Sequence, residues 1–277
     1  MRVRKRFGQH FLEPAWQTRV VEACQPDPDD QVVEIGPGGG AITVPLAARV
    51  RRMLAIEVDR DMAGALAARQ VPGLTVHIGD VLANDVSATL DTWLAAGLSN
   101  ARFRVVGNLP YNISSPILYL LTRWSTRYPA LADATVMLQA DVADRLVARP
   151  STGDYGVLTL LTALSAEVTR VLALPPGAFR PQPKVRSTLV RLRFRAPSPP
   201  VPNPAVVSRL VRVAFTQRRK TLANTLKAVA GTDGLDLRAV MEVAGIDPRR
   251  RPETLQLVEF SALADAWQDA LARRFVL

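Results

Sequence analysis

The chain is nearly devoid of thiol and imidazole groups: Cys24 is its single cysteine, and His10 and His77 are its two histidines, in 277 residues. One cysteine excludes an intrachain disulfide and any cysteine-based metal cluster. Two imidazoles far apart in sequence, with no carboxylates patterned around them, make a resident metal ion unexpected. Long apolar runs are also missing. Uncharged stretches such as residues 155–166 are too short to span a bilayer. Met1-Arg2-Val3-Arg4-Lys5-Arg6 leads into Phe7-Gly8-Gln9-His10 rather than an apolar core, so no signal peptide is expected. A reducing, cytoplasmic setting is the resulting expectation. Acidic residues are scarce beside basic ones, 25 Asp and Glu against 35 Lys and Arg, which leaves a net charge of +10. That excess points to a polyanionic partner such as nucleic acid, although an anionic membrane surface would suit it too.

Hydrophobic residues make up 48% of the chain, and the length suits one large α/β domain with a smaller second one. Residues 32–35, 53–58, 74–78, 103–106 and 134–138 read as five strands. Helical spacing between most of them implies right-handed crossovers and a parallel sheet. Residues 167–172 and 187–194 lack a helix-length spacer and read as a terminal antiparallel hairpin. Residues 196–204 contain five prolines in nine positions, a stiff extended linker. Beyond it, residues 205–215, 220–229, 236–244 and 261–274 carry apolar residues at helical spacing, broken by Gly231, Gly234, Gly245 and Pro248. The expected fold is α/β, a mostly parallel sheet with an antiparallel edge hairpin, followed by a small C-terminal all-helical domain. The expected division is residues 1–197, a linker over 198–204, and a helical domain over 205–277.

The fourth strand runs into Asn108-Leu109-Pro110-Tyr111. An adenine amine is a poor nucleophile because its lone pair is delocalised into the ring, and two acceptors aimed at its two N–H groups would localise that pair. The side-chain oxygen of Asn108 can be one acceptor. The backbone carbonyl of Leu109 or Pro110 can be the other, since Pro110 stiffens the chain and offers no competing N–H. Tyr111 supplies a face for the base, and stacking of that kind is worth roughly 1–3 kcal/mol. A proline-containing turn with a half-buried tyrosine would use the same four residues.

The first strand runs into Gly36-Pro37-Gly38-Gly39-Gly40-Ala41, where glycines let a ligand approach the backbone at a strand's carboxyl end. Gly36, Gly38 and Ala41 also satisfy the dinucleotide fingerprint, with Glu57 placed to accept from ribose hydroxyls, so an NAD-linked oxidoreductase is a competitor. However, Pro37 removes one N–H, and no Lys or Arg lies between Gly36 and Thr43, which furnishes a pyrophosphate poorly. A cofactor without phosphate fits better. S-adenosylmethionine would use Glu57 for its ribose and Asp80 for its adenine amine, with its methionyl part over the glycine loop.

The blocks Lys5-Arg6-Phe7-Gly8-Gln9-His10-Phe11-Leu12, Glu34 to Gly40, Glu57-Val58-Asp59, Gly79-Asp80 and Asn108-Leu109-Pro110-Tyr111 follow one another in the chain. Phe179-Arg180-Pro181-Gln182-Pro183-Lys184-Val185 and Phe215-Thr216-Gln217-Arg218-Arg219-Lys220-Thr221-Leu222 complete the series. Together they resemble the small-subunit ribosomal RNA adenine N6,N6-dimethyltransferase family over nearly the whole chain. The resemblance implies a Rossmann-like, S-adenosylmethionine-dependent methyltransferase sheet whose cofactor pocket is lined by His10, Leu12, Gly36, Gly38, Glu57, Asp80 and Asn108. Many relatives carry Asn where this chain has His10. The catalytic set it implies is Asn108, Leu109, Pro110 and Tyr111, with Phe179 stacking on the target base opposite Tyr111. The implied reaction is dimethylation of two adjacent adenines near the 3′ end of small-subunit ribosomal RNA, with a role in subunit biogenesis.

An in-line displacement needs little from the protein beyond positioning and the two acceptors, and the target base must be unstacked to reach them. Phosphate contacts are expected from Arg4, Lys5, Arg6, Lys184, Arg218, Arg219 and Lys220, within a wider basic stretch that also holds Arg209, Arg212 and Lys227. The expected partner is small-subunit ribosomal RNA or a pre-assembled small subunit, with no membrane. A monomer is expected, because no apolar stripe is left unassigned. Two competitors keep the scaffold: a non-catalytic assembly or transcription factor, and a large-subunit RNA methyltransferase of the antibiotic-resistance type, whose members tend to carry Ile in place of Leu109.

Overall fold

The computed structural model describes residues 10–83, 86–97 and 102–274. Its strands are β1 (Phe11–Leu12), β2 (Gln31–Ile35), β3 (Arg52–Glu57), β4 (Leu74–Ile78), β5 (Phe103–Asn108), β6 (Leu131–Gln139), β7 (Ala166–Leu174), β8 (Phe179–Arg180) and β9 (Ser187–Phe194). Its helices are α1 (Pro14–Cys24), α2 (Thr43–Ala47), α3 (Arg60–Ala67), α4 (Val86–Ala95), α5 (Ser114–Arg127), α6 (Ala140–Leu146), α7 (Val157–Ala163), α8 (Pro204–Ala214), α9 (Leu222–Asp233), α10 (Leu237–Val243) and α11 (Leu257–Arg274).

Seven strands form one sheet in the order β4-β3-β2-β5-β6-β9-β7. The pairs β3/β4, β2/β3, β2/β5 and β5/β6 are parallel, and β9 is antiparallel to β6. These are the seven strands read from the sequence. Strand β2, with parallel neighbours on both sides, is buried at every residue, as a parallel strand covered on both faces must be. The separate two-stranded sheet of β1 and β8, with Phe11 opposite Arg180 and Leu12 opposite Phe179, was not anticipated. Two residues are too few to carry a period.

At the amino end of β5, Arg104 and Arg191 close off helix α1. Arg104 donates to the carbonyls of Cys24 and Gln25, both at 2.8 Å, and Arg191 donates to the carbonyl of Ala23 at 2.7 Å. These are last-turn carbonyls with no partner inside the helix, and cations there also oppose the negative end of its dipole. The Arg104 guanidinium further binds Asp30 at 2.8 Å and Asp133 at 3.0 Å, so one side chain ties α1, β5 and β6 together.

The chain divides into two compact units. The first runs through Ala143 and adds Glu167–Phe194; the second takes Asp144–Ala166 together with the chain from Arg195 onward. This differs from a boundary at the proline-rich stretch, because residues 144–166 join the helical unit. The cause is visible at Tyr155, whose buried hydroxyl donates to the Leu255 carbonyl at 2.7 Å and whose ring meets Phe215 edge-on. Within this unit the last linker proline, Pro204, is the first residue of α8, a position where its fixed φ and missing N–H cost nothing. Thr221 caps the start of α9, and Gly234 ends it in the left-handed conformation. No helix of the described residues is long and apolar enough to cross a membrane.

Candidate active site

Parallel pairing brings four strand ends to one edge of the sheet. Ile35 sits opposite both Ile56 and Gly107, and Glu57 opposite Ile78, so the residues that follow, at Gly36, Val58, Gly79 and Asn108, emerge side by side. Gly107 makes this alignment tight: a Cβ there would lie 2.7 Å from the Ile35 carbonyl oxygen. The cleft above these ends opens to solvent, and its empty space, open mouth included, is about 1110 Å³.

The glycine loop is built for close approach. Gly36 and Gly38 have φ of +69° and +54°, in the left-handed region that side chains disfavour. A Cβ on Gly38 would stand 3.6 Å from the Phe11 ring. The Glu57 carboxylate holds this loop, accepting from the Gly38 N–H and the Asp59 N–H, both at 2.9 Å. Asp80 is exposed, with one carboxylate oxygen accepting from the Leu82 N–H at 2.9 Å. Glu34, which the sequence reading did not place in the site, lines the cleft floor; its Oε2 is buried without a hydrogen-bond partner. Burial pushes its carboxyl up to about 7, a hydrogen bond with the Thr43 hydroxyl opposes the rise, and the like charge of Glu57 adds to it. The signal for it was present in the sequence as an acid between Val33 and Ile35, at the end of a strand that runs into the glycine loop.

Among the described lining residues, Glu34, Glu57 and Asp80 carry carboxyl groups and no Lys or Arg appears. In a chain of net charge +10, this makes the cleft an acidic enclave suited to a cationic ligand. His10, Leu12, Gly36, Gly38, Glu57, Asp80, Asn108, Leu109, Pro110 and Tyr111 all line it, so cofactor and acceptor candidates share one space.

Within the Asn108 motif the structure separates roles that the sequence left merged. Leu109 is buried, and its N–H donates to the Met137 carbonyl at 3.2 Å; its side chain anchors the segment in the core. The Pro110 carbonyl accepts from the Ile113 N–H at 3.1 Å, closing a turn. The Leu109 carbonyl receives no hydrogen bond among the described residues and is the free backbone acceptor. Asn108 donates its Nδ2 to the His10 carbonyl at 3.0 Å. The Tyr111 hydroxyl lies 2.8 Å from Ser187 Oγ, and burial pushes the phenol up from its ordinary value. One face of its ring is covered by the His10 imidazole, with centroids 5.3 Å apart and planes at 28°.

Phe179 corrects an expectation. It is wholly buried in the core that also holds Leu12, Val21 and Met137 and does not line the cleft, so no face of it is presented to a base. Its place in β8 opposite Leu12 points it into the apolar layer, where a phenyl ring gains more from burial than from half-exposure.

The basic residues divide as well. Arg4, Lys5 and Arg6 lie outside the described residues. Lys184, Arg219 and Lys220 are exposed. Arg218 is engaged inside the helical unit, donating to the Tyr155 carbonyl at 2.8 Å and lying 3.6 Å from Glu253. Arg209 makes a two-pronged pair with Asp233 at 2.7 and 2.8 Å.

A family model described as ribosomal RNA adenine dimethylase matches residues 1–263. The chain is 44% identical over 276 residues to the ribosomal RNA small subunit methyltransferase A of Chromobacterium violaceum, covering 98% of this chain and 97% of that protein. It is 43% identical over 267 residues to the protein of the same name from Aromatoleum aromaticum, covering 95% and 94%. Among solved structures, a dimethyladenosine transferase from Plasmodium falciparum superposes with a TM-score of 0.75 at 23% identity over 94% of this chain and 98% of that one, a likeness of fold. The 23S rRNA methyltransferase ErmE superposes with a TM-score of 0.63 at 26% identity, covering 93% and 99%.

Proposed function

Because the chain belongs to the ribosomal RNA adenine dimethylase family, we propose that it dimethylates the N6 amines of two adjacent adenines near the 3′ end of small-subunit ribosomal RNA, with S-adenosylmethionine as methyl donor. The observation that carries this reading is the acidic cleft at the strand ends, with the Asn108 motif at its rim. The donor set fits the cofactor. Glu34 puts a buried carboxyl on the cleft floor whose ionisation a positive group would favour, Glu57 and Asp80 retain acceptor capacity for ribose and adenine, and the glycine loop lets the ligand lie against the backbone. The absence of Lys and Arg among the described lining residues disfavours the pyrophosphate of a dinucleotide. When bound, S-adenosylmethionine supplies a methyl group activated by a positive sulfur.

The protein's own part is to make the amine ready. Asn108 Oδ1 and the Leu109 carbonyl accept its two N–H groups, drawing the lone pair out of conjugation. Tyr111, half-buried in the lining of the cleft, would give the unstacked base a ring to stack on. A strong base is unnecessary, because the nitrogen becomes acidic only once alkylated. Lys184, Arg219 and Lys220 are read as phosphate contacts, and the second unit as the RNA-holding part of a cytoplasmic monomer. The same activity would give the protein a place in small-subunit biogenesis.

The test is incubation with labelled S-adenosylmethionine and unmethylated small or large ribosomal subunits, or their naked RNAs. Label in small-subunit adenines is the expected result. Label confined to large-subunit RNA would favour the activity printed for ErmE, and no label on either would overturn the reading.

A further inference from the structure

Asn108 can act as an acceptor only if its carboxamide presents oxygen, not nitrogen, to the amine. Nothing in an isolated Asn enforces this, since the two ends have the same size and a flip exchanges them. Here the ambiguity is removed by a neighbour. The group facing one end of the carboxamide is the backbone carbonyl of His10, at 3.0 Å. A carbonyl can only accept, so that end must be the NH2, and Oδ1 is left as the available end. A flipped Asn108 would set two acceptors against each other at hydrogen-bond distance, and would offer the incoming amine a donor.

Residue 10 is itself pinned. Its Nδ1 lies 2.7 Å from the Pro181 carbonyl oxygen, which again can only accept, so Nδ1 carries the hydrogen. Its ring lies on the Tyr111 ring, whose hydroxyl is tied to Ser187. Directly after it, β1 pairs with β8, with Phe11 opposite Arg180. Contacts with two segments of the first unit, residues 179–181 and Tyr111, thus fix where the His10 carbonyl points.

We propose that His10 is a positioning residue for methyl transfer: its tethered backbone carbonyl holds Asn108 Nδ2 and so sets Asn108 Oδ1 as the acceptor for the target amine. This rests on the methyltransferase reading above. It assigns His10 a role toward the acceptor side of the reaction, distinct from lining the cofactor cleft.

The test compares single-turnover methyl transfer at saturating cofactor with cofactor affinity measured separately by calorimetry with S-adenosylhomocysteine. In His10→Ala both side-chain tethers are lost, and the saturated rate should fall by about tenfold or more, with a smaller change in cofactor affinity. In His10→Asn the amide nitrogen can replace Nδ1 toward Pro181, and this variant should recover most of the lost rate. A His10→Ala enzyme that binds cofactor weakly but reaches the wild-type rate at saturation would overturn the proposal, as would a His10→Asn enzyme no faster than His10→Ala. A second variant is independent of residue 10. Asn108→Asp keeps two acceptor oxygens and loses the donor, so it should be slowed by about tenfold or more; wild-type speed in that variant would also overturn the proposal. Failure of the wild-type enzyme to label either ribosomal RNA would instead defeat the reading of the reaction itself.

Discussion

Glu34 carries a carboxyl group into the floor of the cleft, where the hydroxyl of buried Thr43 is the neighbour that favours its ionised form. The energetic consequence has a definite sign. Burial raises this carboxyl from its ordinary 4.5 to about 7, so the folded state holds a proton that the unfolded chain releases. Stability from this group is fully present below about pH 4.5, declines as pH rises and is lost once pH passes about 7, a loss of roughly 3 kcal/mol without ligand. Glu34→Gln removes the titration. Its unfolding free energy should match wild type near pH 4.5 and exceed it increasingly up to pH 7.5; denaturant titrations giving a pH-independent difference would refute this. Asn108 is the other decisive single residue. Asn108→Ala should reduce methyl transfer by about 100-fold or more while leaving the thermal midpoint close to wild type, and near-normal turnover would exclude Asn108 as an acceptor.

At the scale of elements, the site depends on how closely β5 lies against β2. Gly107 permits that approach, because an added methyl would stand 2.7 Å from the backbone oxygen of Ile35. In Gly107→Ala the strand must shift, costing about 1–3 kcal/mol and displacing the next residue, Asn108. Transfer should fall more than the stability loss alone explains, which paired denaturation and single-turnover measurements would reveal. At the other end of β5, Arg104 joins α1 to β5 and β6 through two carboxylates and two helix carbonyls. Arg104→Met strands Asp30 and Asp133 in a site where their side chains are only 18% and 16% exposed. A destabilisation of about 3–5 kcal/mol is expected, partly reversed by adding Asp133→Asn. If chemical denaturation shows less than about 1 kcal/mol, the network is not holding α1 in place.

For the whole molecule, charge and site are separated in kind: an acidic cleft lies in the first unit of a chain with net charge +10. RNA affinity should therefore fall steeply with salt. Replacing Arg219 and Lys220 with Ala should flatten the log–log salt slope by about one for each, whereas Arg218→Ala should chiefly lower stability, because that guanidinium is committed to Tyr155 and Glu253. Filter binding across a salt series, with thermal melts alongside, distinguishes the two; equal slopes in all variants would remove Arg219 and Lys220 from the interface.

The features determined by the sequence itself are those with a local signature. The seven strands of the main sheet have their own apolar runs, the glycine loop and Asn108 motif are contiguous, and net charge is a sum. The tertiary structure decided whatever depends on a partner distant in the chain. It paired the two-residue strands β1 and β8, buried Phe179 in the core, and drew residues 144–166 into the helical unit. It also closed the Pro110 carbonyl in a turn while leaving that of Leu109 without a hydrogen bond among the described residues, and placed the His10 carbonyl against Asn108. The physical reason is that periodicity and turn chemistry act within a few residues, whereas the orientation of a carboxamide or the burial of one ring is set by groups that meet only after the chain has folded.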